Sequence, residues 1–155
     1  AAIRSRPQYP AAHGNLAGLL RDRGALDEAE VHYREVLRRE PSVPAALYGL
    51  GVLRADRRRW EEAIGFYRQA LRIRPDYPEA LNNTGVALTK LGRLAEAEGF
   101  FRRALRAQPD HALANYNLGS VLASAGRRQE AKRYLAAAIA ADPGLRQARE
   151  LLERL

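Results

Sequence analysis

Few side chains in this sequence are of a type and spacing that could do chemistry. Three histidines, His13, His32 and His111, share no metal-ligand spacing, and there is no cysteine to assist them. The lack of cysteine also removes thiolate nucleophiles, iron–sulfur ligation and disulfide frameworks. The serines Ser5, Ser42, Ser120 and Ser124 have no Gly-x-Ser-x-Gly setting. Gly49-Leu50-Gly51 lacks the preceding strand and third glycine of a dinucleotide turn, and Gly85 to Lys90 lacks the second glycine of a phosphate loop. The pairs Asp27–Glu28 and Glu61–Glu62 fall at helix starts, where negative charge complements the helix dipole. The expectation is a non-catalytic chain without cofactor or metal. The remaining chemistry is hydrogen bonding to a ligand. Asn15, Asn83 and Asn117 are spaced by multiples of 34 residues, in a column interrupted by Gly49.

That spacing belongs to the whole chain. Pro7, Pro41, Pro75, Pro109 and Pro143 recur every 34 residues. Ala12, Ala46, Ala80, Ala114 and Ala148 keep the same phase, as do Ala29, Ala63, Ala97 and Ala131. Gly51, Gly85 and Gly119 form a small-residue column with Ala17, and Tyr33, Tyr67, Phe101 and Leu135 form a bulky one. Each period has a first helix with small residues where a neighbour must approach closely. A glycine then ends that helix. The second helix carries apolar residues at i, i+4, i+7 and i+8, and a proline stops it. One such pair cannot bury its stripe alone, so pairs must stack.

The 34-residue columns, with "NLAGLL", "GLGVLR", "NTGVAL" and "NLGSVL" in phase, resemble the tetratricopeptide repeat family over nearly the whole chain. The departures are His13 and Asn115 at the usual tryptophan position, Thr84 for leucine, and Arg58 where the other periods have Gly24, Gly92 and Gly126. The resemblance implies an all-α fold, a right-handed α-solenoid of helix–turn–helix repeats. The frame places repeats at 10–43, 44–77, 78–111 and 112–145. Residues 1–9 read as the tail of a truncated upstream repeat, and 146–155 as a C-terminal capping helix, with a cut repeat as the alternative. No methionine and no signal segment are present, so the chain reads as a piece of something longer.

In that family the first helices line a concave groove. The resemblance therefore puts Asn15, Tyr48, Val52, Asn82, Asn83, Val86, Tyr116 and Asn117 on the groove as candidate peptide-binding residues. Asparagine is a poor helix-interior residue, so its repetition suggests use. A side-chain amide offers both a donor and an acceptor to an extended peptide backbone. The column is similar to the asparagine ladder of O-GlcNAc-transferase arrays. The carboxylate clamp of chaperone-binding relatives needs two asparagines, two lysines and an arginine over three repeats. The matching positions hold Gly14, Gly18, Gly49, Glu79 and Asn83, or Tyr48, Val52, Asn83, Leu113 and Asn117, with no cation among them, so a chaperone tail is not expected.

Of 155 residues 26 are Lys or Arg and 18 Asp or Glu, a net charge of +8. Nine of the cations, Arg21, Arg23, Arg57, Arg58, Arg59, Lys90, Arg93, Arg127 and Arg128, fall in the turns between paired helices, against Asp22 and Asp56. Such an edge attracts acidic protein, anionic membrane or nucleic acid. Cations at a helix C-terminus are also locally favourable, by about 0.3–1 kcal/mol each. An arginine-rich chain with two lysines further fits a GC-rich bacterial genome. Aromatics do not interleave with the edge as single-strand binders require, so nucleic acid is the less favoured partner. No apolar run is long enough to span a membrane, and the cytoplasm is the expected compartment.

The leading functional expectation is a protein–protein interaction scaffold binding an extended peptide or partner protein in its groove. The alternatives are a substrate-recognition arm of a larger, glycosyltransferase-like enzyme, an electrostatic binder of nucleic acid or anionic surfaces, and end-to-end self-association through Ile3 and its exposed neighbours.

Overall fold

The computed structural model describes residues 9–155. The expectations on the upstream tail and Ile3 lie outside the described residues. Nine helices occur among those described, and no strand. They are α1 (Tyr9–Asp22), α2 (Leu26–Arg39), α3 (Pro44–Asp56), α4 (Trp60–Ile73), α5 (Pro78–Lys90), α6 (Leu94–Ala107), α7 (Ala112–Ser124), α8 (Arg128–Ala141) and α9 (Arg146–Glu153). The helix starts repeat at the sequence period. Proline stands in the first turn of α3 and α5, where its missing N–H costs no helical bond. The chain divides into two compact units, the first ending at Pro75 and the second spanning Asp76–Leu155.

Within each unit the helices pair as hairpins, α1 with α2, α3 with α4, α5 with α6 and α7 with α8. The alanine column explains how close they come. Ala29, Ala63, Ala97 and Ala131 are completely buried, each near the start of a second helix. Tyr67, Phe101 and Leu135, further along those helices, lie over Gly51, Gly85 and Gly119 of the facing first helices. Burying each such large side chain contributes about 1.5–3 kcal/mol relative to exposure. Thr84, which replaces a leucine, is fully buried, and its hydroxyl donates to the Ala80 carbonyl at 2.7 Å. The polar substitution is thereby satisfied locally. Helix α9 buries Ala148 against Leu135 and Ala138, with Leu151, Leu152 and Leu155 partly covered.

The turn inside each hairpin follows one design. A residue in the left-handed conformation follows the first helix, and the next residue's N–H bonds back five residues. These bonds are Ala25 to Leu20, Arg59 to Arg54, Arg93 to Leu88 and Arg127 to Leu122, all at 2.8–2.9 Å. Gly24, Gly92 and Gly126 adopt φ of 75–78° at no steric cost, whereas Arg58 is held at φ 58°. That conformation costs a side-chain-bearing residue about 1–2 kcal/mol. Arg58→Gly is therefore expected to raise stability by about 1 kcal/mol, read as a higher urea midpoint. An unchanged midpoint would mean that the Arg58 side chain recovers the strain elsewhere.

Candidate functional site

The second unit holds the clearest constellation of expected groove residues. Helices α5 and α7 lie beside one another, and the hairpin packing of α6 onto α5 brings Phe101 beneath them. Between them is a recess of about 210 Å³, lined by Val86, Thr89 and Lys90 of α5, Phe101 of α6, and Tyr116, Asn117, Ser120 and Val121 of α7. Phe101 and Val121 are buried and give it an apolar floor. The Thr89 hydroxyl is committed to the Gly85 carbonyl at 2.9 Å. Of the expected groove residues, Val86, Tyr116 and Asn117 line this recess, while Asn82 and Asn83 do not.

The asparagines are not independent hands. Asn117 Nδ2 donates to Asn82 Oδ1 at 3.0 Å, and Asn82 Nδ2 donates to Asn83 Oδ1 at 3.2 Å. Asn82 is buried, 4% exposed, so it serves as the middle of a relay. The relay orients the Asn117 amide: one of its two N–H groups points back to Asn82, leaving the carbonyl oxygen and the second N–H for a ligand backbone.

In the first unit the expected residues are less concentrated. Asn15 is exposed on α1, and Val52 is half-buried on α3. Tyr48 is half-buried and rests its ring against Tyr67, centroids 5.8 Å apart and tilted by 35°. Gly49, the gap in the asparagine column, has a direct cause. A Cβ there would meet the Tyr33 ring, with Cζ at 2.3 Å. The slot an asparagine would need is filled from α2.

Sequence spacing did not reveal the histidine pair. His13 and His32, 19 residues apart, meet across the α1–α2 hairpin with Nδ1 atoms at 2.7 Å. At that separation one nitrogen donates and the other accepts, so one ring is neutral on that side. Burial, then the neighbouring His32, holds His13 below the ordinary histidine range. The signal was available in the register: the same two positions hold Leu47 and Phe66, and then Asn115 and Tyr134, in later hairpins. His111 instead caps α7, its Nδ1 accepting from the Ala114 N–H at 3.2 Å. No group of three potential metal ligands occurs among the described residues.

The basic edge is largely occupied by ion pairs. Arg21 binds Asp22 at 2.6 Å, Arg59 binds Glu62 at 2.6 Å and Arg93 binds Glu96 at 2.7 Å. Arg57 bonds Asp27, and reaches Glu30 at 2.8 Å. Arg127 bridges Glu98 at 2.9 Å and Glu130 at 2.6 Å. Among the described residues, Arg23, Arg58, Lys90 and Arg128 are left without an ion pair. Four-residue pairs lie along the second helices too, Glu30 with Arg34 at 2.9 Å and Glu98 with Arg102 at 2.8 Å.

The two glutamates anchor larger clusters. Both Glu30 oxygens accept from Arg54, at 2.8 and 2.9 Å, and further bonds come from Arg57 and Arg34. Arg54 is buried, and its guanidinium lies 5.7 Å from the Phe66 ring centre. Its Nε is 3.2 Å from Glu62, near enough for attraction, but finds no hydrogen-bond geometry. The Arg54 fork, chiefly, holds Glu30 well below the usual carboxylate range. At Glu98 burial pushes upward, but bonds from Arg102 and Arg127 outweigh it and the net shift is downward.

Comparison with known proteins gives a consistent answer. Three family models described as tetratricopeptide repeat match residues 14–39, 42–110 and 88–155. No curated protein matches. Among solved structures, the type IV pilus biogenesis factor PilW is similar, with a TM-score of 0.85 and 29% identity over 96% of this chain and 69% of that one. PilF of Pseudomonas aeruginosa gives 0.84 and 24% identity, covering 94% of this chain and 68% of that one. The first such domain of Spaghetti (RPAP3), solved with the HSP90 peptide SRMEEVD, gives 0.69 and 21%, covering 72% of this chain and 88% of that one. These likenesses bear on fold, and they agree with the all-α hairpin stack seen here.

Proposed function

Because this chain belongs to the tetratricopeptide repeat family, we propose that it is a non-catalytic scaffold that holds an extended peptide segment of a partner protein against α5 and α7. The observation that carries this reading is the recess between those helices, where an apolar floor lies beside the Asn117 amide, whose carbonyl oxygen and second N–H the relay does not use. An extended backbone presents one N–H and one carbonyl per residue, which such an amide can meet without reading sequence. The RPAP3 domain carries a bound peptide in its solved structure, which supports the mode by analogy of fold. The basic edge is the weaker surface on this reading, because most of its arginines already face carboxylates.

The test selects ligands from a displayed library of random linear dodecapeptides and compares two double variants. Each amide lost from a bound backbone costs about 0.5–1.5 kcal/mol. Asn83→Ala/Asn117→Ala should therefore weaken selected peptides about five- to a hundredfold, with helicity retained. Arg58→Gln/Arg59→Gln should leave affinity nearly unchanged. If the arginine pair abolishes binding and the asparagine pair does not, the basic edge is the working surface and the reading falls.

A further inference from the structure

Resting on that reading, the geometry points to the chemistry of the segment bound: we infer that the α5–α7 recess seats a single aliphatic side chain from a peptide that carries a carboxylate close beside it, paired with Lys90. At about 210 Å³ the recess is smaller than the roughly 300–1,000 Å³ clefts that enclose small-molecule ligands. It suits one side chain, not a whole cofactor. Its floor of Val86, Phe101 and Val121 offers no hydrogen bond to the tip of an entering side chain, while the polar Thr89, Tyr116, Asn117 and Ser120 stand around it and the Thr89 hydroxyl is already bonded to the Gly85 carbonyl.

The electrostatics give the second half of the inference. Lys90 is the one charged residue lining the recess, and no carboxylate lines it. Lys90 is exposed and makes no ion pair among the described residues, in contrast to most arginines of the same turns. A cation left unpaired beside an apolar-floored recess complements an acidic neighbour of the anchoring residue. A lysine is a compact charge on a flexible stem, so it tolerates a carboxylate one to three residues either side of the anchor. Asn117, with one amide hydrogen on Asn82, keeps its carbonyl oxygen and its second N–H for the peptide backbone next to the anchor.

The experiment uses the same dodecapeptide library on the full chain. Selected peptides should carry Leu, Ile, Val or Met with Asp or Glu within three residues. A representative peptide should bind Lys90→Glu about tenfold more weakly, since an attraction is replaced by a repulsion. Reselection on Lys90→Glu should exchange the acid for Lys or Arg. Ser120→Leu, which fills the slot from its rim, should abolish the aliphatic preference, with circular dichroism confirming that both variants fold. Peptides that lose affinity in Asn83→Ala/Asn117→Ala but show no acidic preference, and bind Lys90→Glu within about twofold, would overturn this inference and leave the scaffold reading standing. If no selected peptide depends on any of these residues, both fall together.

Discussion

Glu30→Leu is expected to destabilise the protein by about 2–4 kcal/mol, far more than the equivalent change at Glu98. The two glutamates occupy the same register: Glu30 binds Arg54 and Arg57 of the next hairpin, and Glu98 binds Arg127 of the hairpin that follows its own. What differs is burial. The Arg54 side chain is 8% exposed, while Arg102 and Arg127 are 31% and 44% exposed. Removing Glu30 leaves the buried guanidinium without hydrogen-bond partners, with only Glu62 3.2 Å from its Nε, and it cannot return to water without disturbing α3 and α4. Removing Glu98 leaves two arginines that can rehydrate, a loss of about 1 kcal/mol or less. Burying both partners of an ion pair contributes little net stability over a well-packed apolar pair. The double change Glu30→Leu/Arg54→Leu should therefore recover most of what Glu30→Leu loses. Urea unfolding of the four proteins reads this, and equal losses at Glu30 and Glu98 would show that the burial of Arg54 does not decide the cost.

The same cluster sets an acid limit. The unfolded chain protonates Glu30 near its ordinary value of about 4.3, while the folded chain resists because the charge is held by Arg54, Arg57 and Arg34. The stabilisation is complete above that value and drains away as pH falls toward the folded value. Glu98 and Glu130 are shifted in the same direction, Glu130 chiefly through its bond to Arg102. Stability should thus fall from about pH 5 downward, and Glu30→Leu should flatten that fall. A wild-type urea midpoint unchanged between about pH 5 and pH 3 would contradict the assignment.

The fold was legible because it is written in repeated small residues. An alanine that recurs every 34 residues and is completely buried each time marks a packing contact that no larger side chain satisfies. The turns were equally plain wherever glycine supplies the positive φ, and Arg58 was visible as the exception. The site was legible only by column. Spacing put Asn83 and Asn117 in one series, but not the relay through Asn82, which arises because Asn82 is one residue out of that series and buried between them. Charge counting likewise found the basic edge but not its neutralisation: beside the local pairs one to three residues apart, Arg57 and Arg127 reach carboxylates of the preceding second helix, up to 30 residues away along the chain.

The gap in the asparagine column follows from one methyl group on the neighbouring hairpin, and this gives the second large prediction. Where the small position of a first helix is glycine, the bulky residue of the paired second helix lies over it, as Phe101 lies over Gly85. The next first helix carries asparagine after Gly51 and Gly85, as Asn83 and Asn117, and Leu151 after Gly119. In the first hairpin the small position is Ala17, and the Tyr33 ring leans instead onto Gly49 of the next helix. Ala17 with Gly49 and Gly85 with Asn117 are therefore two solutions to the same packing problem. Gly49→Asn alone places a Cβ 2.3 Å from Tyr33 Cζ, in a core where Tyr33 is 6% exposed, and should cost about 1–3 kcal/mol by overpacking. Ala17→Gly alone should cost about 1 kcal/mol through helix propensity. Combined, Ala17→Gly/Gly49→Asn lets the Tyr33 ring return to its own hairpin and makes room for the amide. The double variant should therefore be more stable than the sum of the single losses by about 1–2 kcal/mol. Thermal or urea unfolding of the four proteins closes the cycle. Strict additivity would mean that the Tyr33 ring is held over Gly49 by something other than the Ala17 methyl.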